Sequence, residues 1–255
     1  MHLEAAIARC EKYSSKLDIS RLLIAIFVAK PYFMQIATLT FNPIGENTYV
    51  VWDETNACAI IDAGNSTPAE HATLDNFLLE HGLTPVVAVN THGHFDHVLG
   101  VCHLKNRYGV PFACSSKDQY LIDGAREAGQ VYGIPTREMP TIDLDLSTMS
   151  EVKFGNTTLR VIPTPGHTPG GVTLYNEAEK VAFTGDTLFR ESIGRTDLEG
   201  GDYPTLIRSI LGQLLPLGDE VTIYPGHAEC STIGHESMYN PFVVEVLKNQ
   251  INYKQ

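Results

Sequence analysis

The sequence predicts an α/β chain in which β-sheets pack together with helices outside, and three observations carry that expectation. From Met34 onward, short runs rich in β-branched and aromatic residues alternate with helical patterns. The same alternation returns in the second half, so the two halves look alike. No linker, low-complexity run or internal repeat interrupts them, which supports one domain over residues 34–255.

Taken in order, strands are expected over residues 36–41, 48–52 and 57–61, each bounded by Gly, Asn, Asp or Pro. A helix follows at Pro68–Glu80. Thr67 can cap it, Pro68 opens it, Glu70 completes a capping box, and Gly82 ends it, with Leu74, Phe77 and Leu78 as its inward stripe. Residues 86–90 form an apolar strand that runs into Thr91-His92-Gly93-His94-Phe95-Asp96-His97. A helix over 98–108, a short strand over 111–114 and a helix over 117–128 come next, and the Pro-, Thr- and Asp-rich stretch 132–150 reads as a long loop. In the second half, strands are expected near 157–162, 172–175, 181–184 and 220–224, with helices near 203–215 and 236–251.

Composition narrows the function classes. Thirty acidic residues against eighteen basic ones give a net charge of −12, which repels phosphate backbones and argues against a nucleic-acid partner. Cys10, Cys58, Cys102, Cys114 and Cys230 form no close pair and read as free thiols in a reducing cytosol. No apolar run is long enough to span a membrane. The nearest, residues 22–29, follows Arg9, Lys12, Lys16 and Arg21 but runs into Lys30-Pro31 without a small-residue cleavage site. Residues 1–33 are therefore read as an N-terminal extension, an appended helix or an upstream start, on a cytoplasmic protein with no membrane partner. Ten histidines beside a single tryptophan are the oddest feature of the inventory.

The Thr91–His97 run explains much of that excess. In an extended chain alternate residues face one side, so His92, His94 and Asp96 would converge, with His97 following where the chain turns into a helix. Imidazoles and a carboxylate suit Zn²⁺, and Mn²⁺ and Fe²⁺ as well. These four donors are too many for one catalytic zinc and too few for two. Three further candidates each follow an apolar strand and a glycine: His167 after Gly166, Asp186 after Gly185, and His227 after Gly226.

HxHxDH followed by a distant His, Asp and His resembles the metallo-β-lactamase superfamily of binuclear hydrolases. FTGDTLF (183–189), GRTDLEGGD (194–202) and PGHAECSTIGHE (225–236) resemble its glyoxalase-II-like, or hydroxyacylglutathione-hydrolase-like, branch. The resemblance spans Met34 to about Leu247. It implies a four-layer αβ/βα sandwich, two mixed β-sheets with helices outside, and two divalent metal ions at the sheet edge. By position, it implies that His92, His94 and His167 hold the first metal and Asp96, His97 and His227 the second, with Asp186 bridging. Asp62 would orient the ligand loop by accepting its hydrogen bonds.

The chemistry expected of such a site is hydrolysis. A water bridging two cations becomes hydroxide near neutral pH and attacks a polarised carbonyl, with Asp96 orienting the nucleophile or taking its proton. A thiolate leaving group suits the site, so a small-molecule thioester of the lactoylglutathione type is expected. The helical domain with which full-length glyoxalase II enzymes grip glutathione has no counterpart in the 13 residues after Phe242, which implies a short-form hydrolase. Arg190 is the candidate for meeting an anionic substrate, whereas Arg195 is expected to pair with Asp197 or Asp202. Gly171, and Ala228-Glu229 where the family often has PGHGP, depart from the pattern and loosen the substrate assignment. The competing expectations are a mononuclear-iron glutathione persulfide dioxygenase and a metal-binding module without catalysis. A β-lactamase is disfavoured by Asp186 in the bridging position. His71, His81, His103 and His235 are given no role; Cys102 and Cys114 are read as small core residues, Cys58 as a strand residue and Cys230 as a loop thiol. The oligomeric state is not legible.

Overall fold

Alternation along the strands places side chains on both faces of two sheets, and both faces are buried. A computed structural model describes residues 34–134 and 138–252; Cys10, the 22–29 run and the rest of residues 1–33 lie outside the described residues. The first sheet orders β1 (Gln35–Phe41), β2 (Glu46–Trp52), β3 (Ala57–Ile61), β4 (Thr84–Val89), β5 (Phe112–Cys114) and β6 (Leu144–Asp145) side by side. The second runs β14 (Ser231–Thr232), β13 (Thr222–Pro225), β10 (Val181–Gly185), β9 (Val172–Asn176), β8 (Thr157–Pro163) and β7 (Glu151–Phe154). A small hairpin pairs β11 (Leu188–Phe189) with β12 (Ser192–Ile193). Both large sheets mix parallel and antiparallel pairs, as β2–β3 and β3–β4 show in the first.

Residue-by-residue alternation accounts for the four layers. In β2, Tyr49 and Val51 point into a core shared with Leu159, Leu174 and Phe183 of the other sheet. Val50 between them faces the opposite way, toward Leu74 and Leu78 of helix α1 (Pro68–Glu80). In β10, Val181 and Phe183 join the inter-sheet core, while Ala182 faces a third cluster. That cluster includes Leu206 of α6 (Tyr203–Ser209), Ile233 of α7 (Ile233–Tyr239) and Val243 of α8 (Pro241–Asn252). The result is helix, sheet, sheet, helix, as expected.

Helix α1 has the predicted ends: Glu70 N donates to Thr67 Oγ1 at 3.2 Å and Thr67 N donates to Glu70 Oε2 at 2.9 Å. Elsewhere local chemistry breaks the longer elements. The expected 98–108 helix is two helices, α2 (Phe95–Val98) and α3 (Val101–Tyr108), because Gly100 N turns away to Ala63 O at 2.7 Å. The 117–128 helix divides at Gly124 into α4 (Gln119–Asp123) and α5 (Ala125–Val131), after a 3₁₀ turn at Ser116–Asp118. Pro216 cannot donate a backbone hydrogen bond, and the 203–215 helix accordingly gives way to π and 3₁₀ turns after Ser209. Thr232 caps α7 earlier than expected, and Pro241 opens a separate α8. The 132–150 stretch contributes β6 and is not wholly loop. Among the described residues, no helix is long and apolar enough to cross a membrane.

Candidate metal centre

Strand direction brings the candidate residues to one sheet edge. β3 and β4 are parallel, β10 and β13 are parallel, and β8 and β10 are both antiparallel to β9. The loops after β3, β4, β8, β10 and β13 carry Asp62, His92 to His97, His167, Asp186 and His227 respectively.

Three groups each bring their donor atoms within 4.8 Å of one another: His92, His94 and His167; His92, His97 and Asp186; and Asp96, His97 and His227. His94 Nδ1 lies 2.8 Å from His167 Nε2. Asp96 Oδ2 lies 3.2 Å from His227 Nε2 and 3.6 Å from His97 Nε2. Asp186 spans the groups: Oδ2 is 3.6 Å from His167 Nε2 and 3.7 Å from His227 Nε2, and Oδ1 is 3.6 Å from His97 Nε2. Contrary to the sequence expectation, His92, His94 and Asp96 do not converge as a continuous strand would place them: His92 and His94 group with His167, and Asp96 with His97 and His227. The strand ends at Val89 and α2 begins at Phe95, so helical geometry carries Asp96 away with His97 toward His227.

Neighbouring groups fix these side chains. Asp62 accepts from Thr91 N and Thr91 Oγ1, each at 2.7 Å, and Oδ2 approaches His97 Nδ1 to 3.3 Å. His167 Nδ1 meets Arg195 O at 2.7 Å and His227 Nδ1 meets Gly45 O at 3.2 Å. A carbonyl can only accept, so each Nδ1 donates to it and each Nε2 is turned toward the centre. Gly226 is required by space, since a Cβ there would overlap Asp186 Oδ1 and the His97 ring.

The donor set fits divalent cations. His92 Nε2, both His97 ring nitrogens and Asp186 Oδ1 are buried without a hydrogen-bond partner. Each such atom ordinarily costs about 1–3 kcal/mol, and a coordinated cation is the partner that this donor chemistry suits. Burial and the neighbouring imidazoles push His92 well down, and the same causes, burial first, push His94 down to about 3. Burial also opposes charge on His97, but Asp96, Asp186 and Asp62 outweigh it and hold its pKa well up. An environment that favours a proton on His97 also favours a cation beside it.

At the rim, Arg195 forms a two-point pair with Asp197, Nε to Oδ1 at 2.7 Å and Nη2 to Oδ2 at 2.8 Å. Arg190 Nη1 lies 3.2 Å from Glu229 Oε1. His103 binds Asp75 at 2.9 Å, His235 meets Glu191 at 3.0 Å, His81 bonds its own helix end, and His71 stacks on His103. Cys58 and Cys114 are buried and Cys230 is exposed. Cys102 is only partly buried, because it lies on the side of α3 facing a surface cleft of about 870 Å³. Two buried carboxylates around the centre escaped the sequence reading. Glu46 opens β2, with Oε1 4.0 Å from His97 Nδ1, and Asp118 closes the turn after β5. Glu46 begins an apolar strand and Asp118 stands shortly after one, and nothing local in the sequence marks either as part of a site.

The pattern of the Metallo-beta-lactamase superfamily matches residues 42–227. The chain belongs to this superfamily. Hydroxyacylglutathione hydrolase GloC of Haemophilus influenzae is 37% identical over 212 residues, covering 82% of this chain and 98% of that one. Probable metallo-hydrolase YqgX of Bacillus subtilis is 31% identical, with the same coverage of both chains. Among solved structures, the BLEG-1 B3 metallo-beta-lactamase superposes with a TM-score of 0.76 at 34% identity, covering 82% of this chain and 99% of that one. TTHA1623 in a di-iron-bound form gives 0.72 at 33% identity, covering 81% and 99%. Metallo-beta-lactamase-fold hydrolases bind divalent metals, and the His/Asp groups above are this chain's candidates to do so.

Proposed function

We propose that this chain hydrolyses a small-molecule thioester of the hydroxyacylglutathione type, using two divalent cations. The observation that carries the reading is the reach of Asp186, which lies within 3.7 Å of histidines from both ligand triads. In the proposed assignment His92, His94 and His167 hold one cation, Asp96, His97 and His227 the other, and Asp186 lies between. The cations, when bound, supply a nucleophilic water at neutral pH and polarise the carbonyl.

The chain's own residues do the rest. Asp96, with Oδ2 between His97 and His227, is placed to orient the nucleophile or take its proton. The Nδ1 bonds to Arg195 O and Gly45 O hold His167 and His227 in one orientation. Arg190, with its side chain 44% exposed, offers positive charge to an anionic substrate if it leaves Glu229. The 37% identity to GloC supports the thioester assignment, while the di-iron form of TTHA1623 keeps iron beside zinc as a resident metal. The likeness to BLEG-1 supports a second reading, β-lactam hydrolysis by the same groups.

The test is a panel of S-lactoylglutathione, other acyl thioesters and a β-lactam, run on wild type, His92→Ala and Asp186→Ala. Thioester turnover that both substitutions abolish is expected. Wild-type turnover in either variant, or cleavage of the β-lactam alone, overturns the proposal.

A further inference from the structure

Asp118 is fully buried, and it follows β5, which contributes no donor to either triad. Its carboxylate accepts three hydrogen bonds. Oδ2 takes Gly93 N at 3.0 Å and Thr168 Oγ1 at 2.8 Å, and Oδ1 takes Gly170 N at 2.6 Å. Gly93 stands between His92 and His94, and Thr168 follows His167, so one side chain ties together the two loops that carry the first triad. Those loops leave β4 and β8, which belong to different sheets. The fit is close: a Cβ at Gly93 would lie 2.7 Å from Asp118 Cβ, and one at Gly170 would lie 2.5 Å from Asp118 Oδ1.

We propose that Asp118 is a positioning residue that clasps the His92–His94 loop to the His167 loop and thereby sets the metal affinity of the first triad, leaving the second to other supports. The proposal rests on the metal reading above. All three partners donate, so only an acceptor at both oxygens satisfies them, and an amide in its place must turn an NH₂ toward at least one donor. A carboxylate held by donors from both loops is also restrained in its rotation, which keeps His94 and His167 at their close approach.

The experiment measures metal affinity by chelator competition, with zinc as the probe, on the full chain as wild type, Asp118→Asn, Thr168→Val and Thr168→Ser. Cobalt spectra follow each site separately. Two zinc per chain are expected for wild type. In Asp118→Asn one site should weaken by about tenfold or more while the other holds its affinity. Thr168→Val should show a smaller loss at the same site, and Thr168→Ser, which keeps the hydroxyl, should match wild type. Should Asp118→Asn fail to fold, the Val/Ser pair decides alone. Two unchanged sites in the variants overturn this inference and leave the metal reading standing. Equal loss at both sites also overturns it, because it marks general destabilisation. A wild type that binds no zinc overturns the metal reading itself.

Discussion

The triad of His92, His94 and His167 is made of imidazoles alone, whereas that of Asp96, His97 and His227 includes a carboxylate and has three more close to His97. Those three are Asp62 at 3.3 Å, Asp186 at 3.6 Å and Glu46 at 4.0 Å. In the first group, burial and mutual repulsion hold His92 and His94 neutral. In the second, burial works against charge on His97 and His227, but carboxylates outweigh it and raise both. Burial also disfavours charge on Asp96, yet His97 and His227 more than compensate and keep it ionised. The first half thus pairs neutral His92 and His94 with the proposed Asp118 carboxylate clasp between their loop and that of His167, and the second relies on compensation between buried charges. Asp186 reaches both.

The largest effect is expected from removing the group shared by the two triads. Asp186→Ala should lower thioester kcat by more than about 100-fold, beyond the usual effect of a supporting partner, as read by steady-state kinetics. A sharper probe is Gly226→Ala, whose Cβ enters the space of Asp186 Oδ1 and the His97 ring. It should weaken the metal site of the second triad more than the first, because His97 belongs to that triad while Asp186 reaches both, and a greater loss at the first site in the competition assay would contradict the proposed division. Asp62→Ala strips the buried Thr91 N–H and hydroxyl of their acceptor and should cost about 1–3 kcal/mol in denaturant unfolding of the metal-free protein.

The smallest effect belongs to a carboxylate remote from both triads. Burial opposes charge on Asp53, but hydrogen bonds from Thr55, Thr157 and Asn156 outweigh it and hold its pKa below the ordinary 3.8. A depressed folded-state pKa contributes stability above the unfolded value that is lost as pH falls through the folded one. Asp53→Asn should therefore flatten the loss of stability below about pH 4, without changing metal affinity. An unaltered acid limb in a pH series of unfolding curves would contradict this.

Much of the centre was legible in the sequence because its donors sit at the ends of apolar strands, often after glycine. Strand alternation failed at Asp96 for a local reason: the chain enters α2 one residue earlier, at Phe95. Gly100, Gly124 and Pro241 break helices that periodicity alone joins, since each breaks the helix through backbone contacts or a missing donor that the hydrophobic pattern does not encode. Asp118 and Glu46 were unreadable because their roles depend on loops distant in sequence, and nothing local separates them from surface acids.

In the proposed function two cations, held by the two triads, serve one thioester hydrolase. Its most direct test is to titrate zinc, and separately ferrous iron, into metal-free protein while following S-lactoylglutathione hydrolysis. Turnover that rises to its maximum at two metal ions per chain is the expected result. One iron per chain with oxygen uptake on glutathione persulfide, or tight metal binding without turnover, would contradict it.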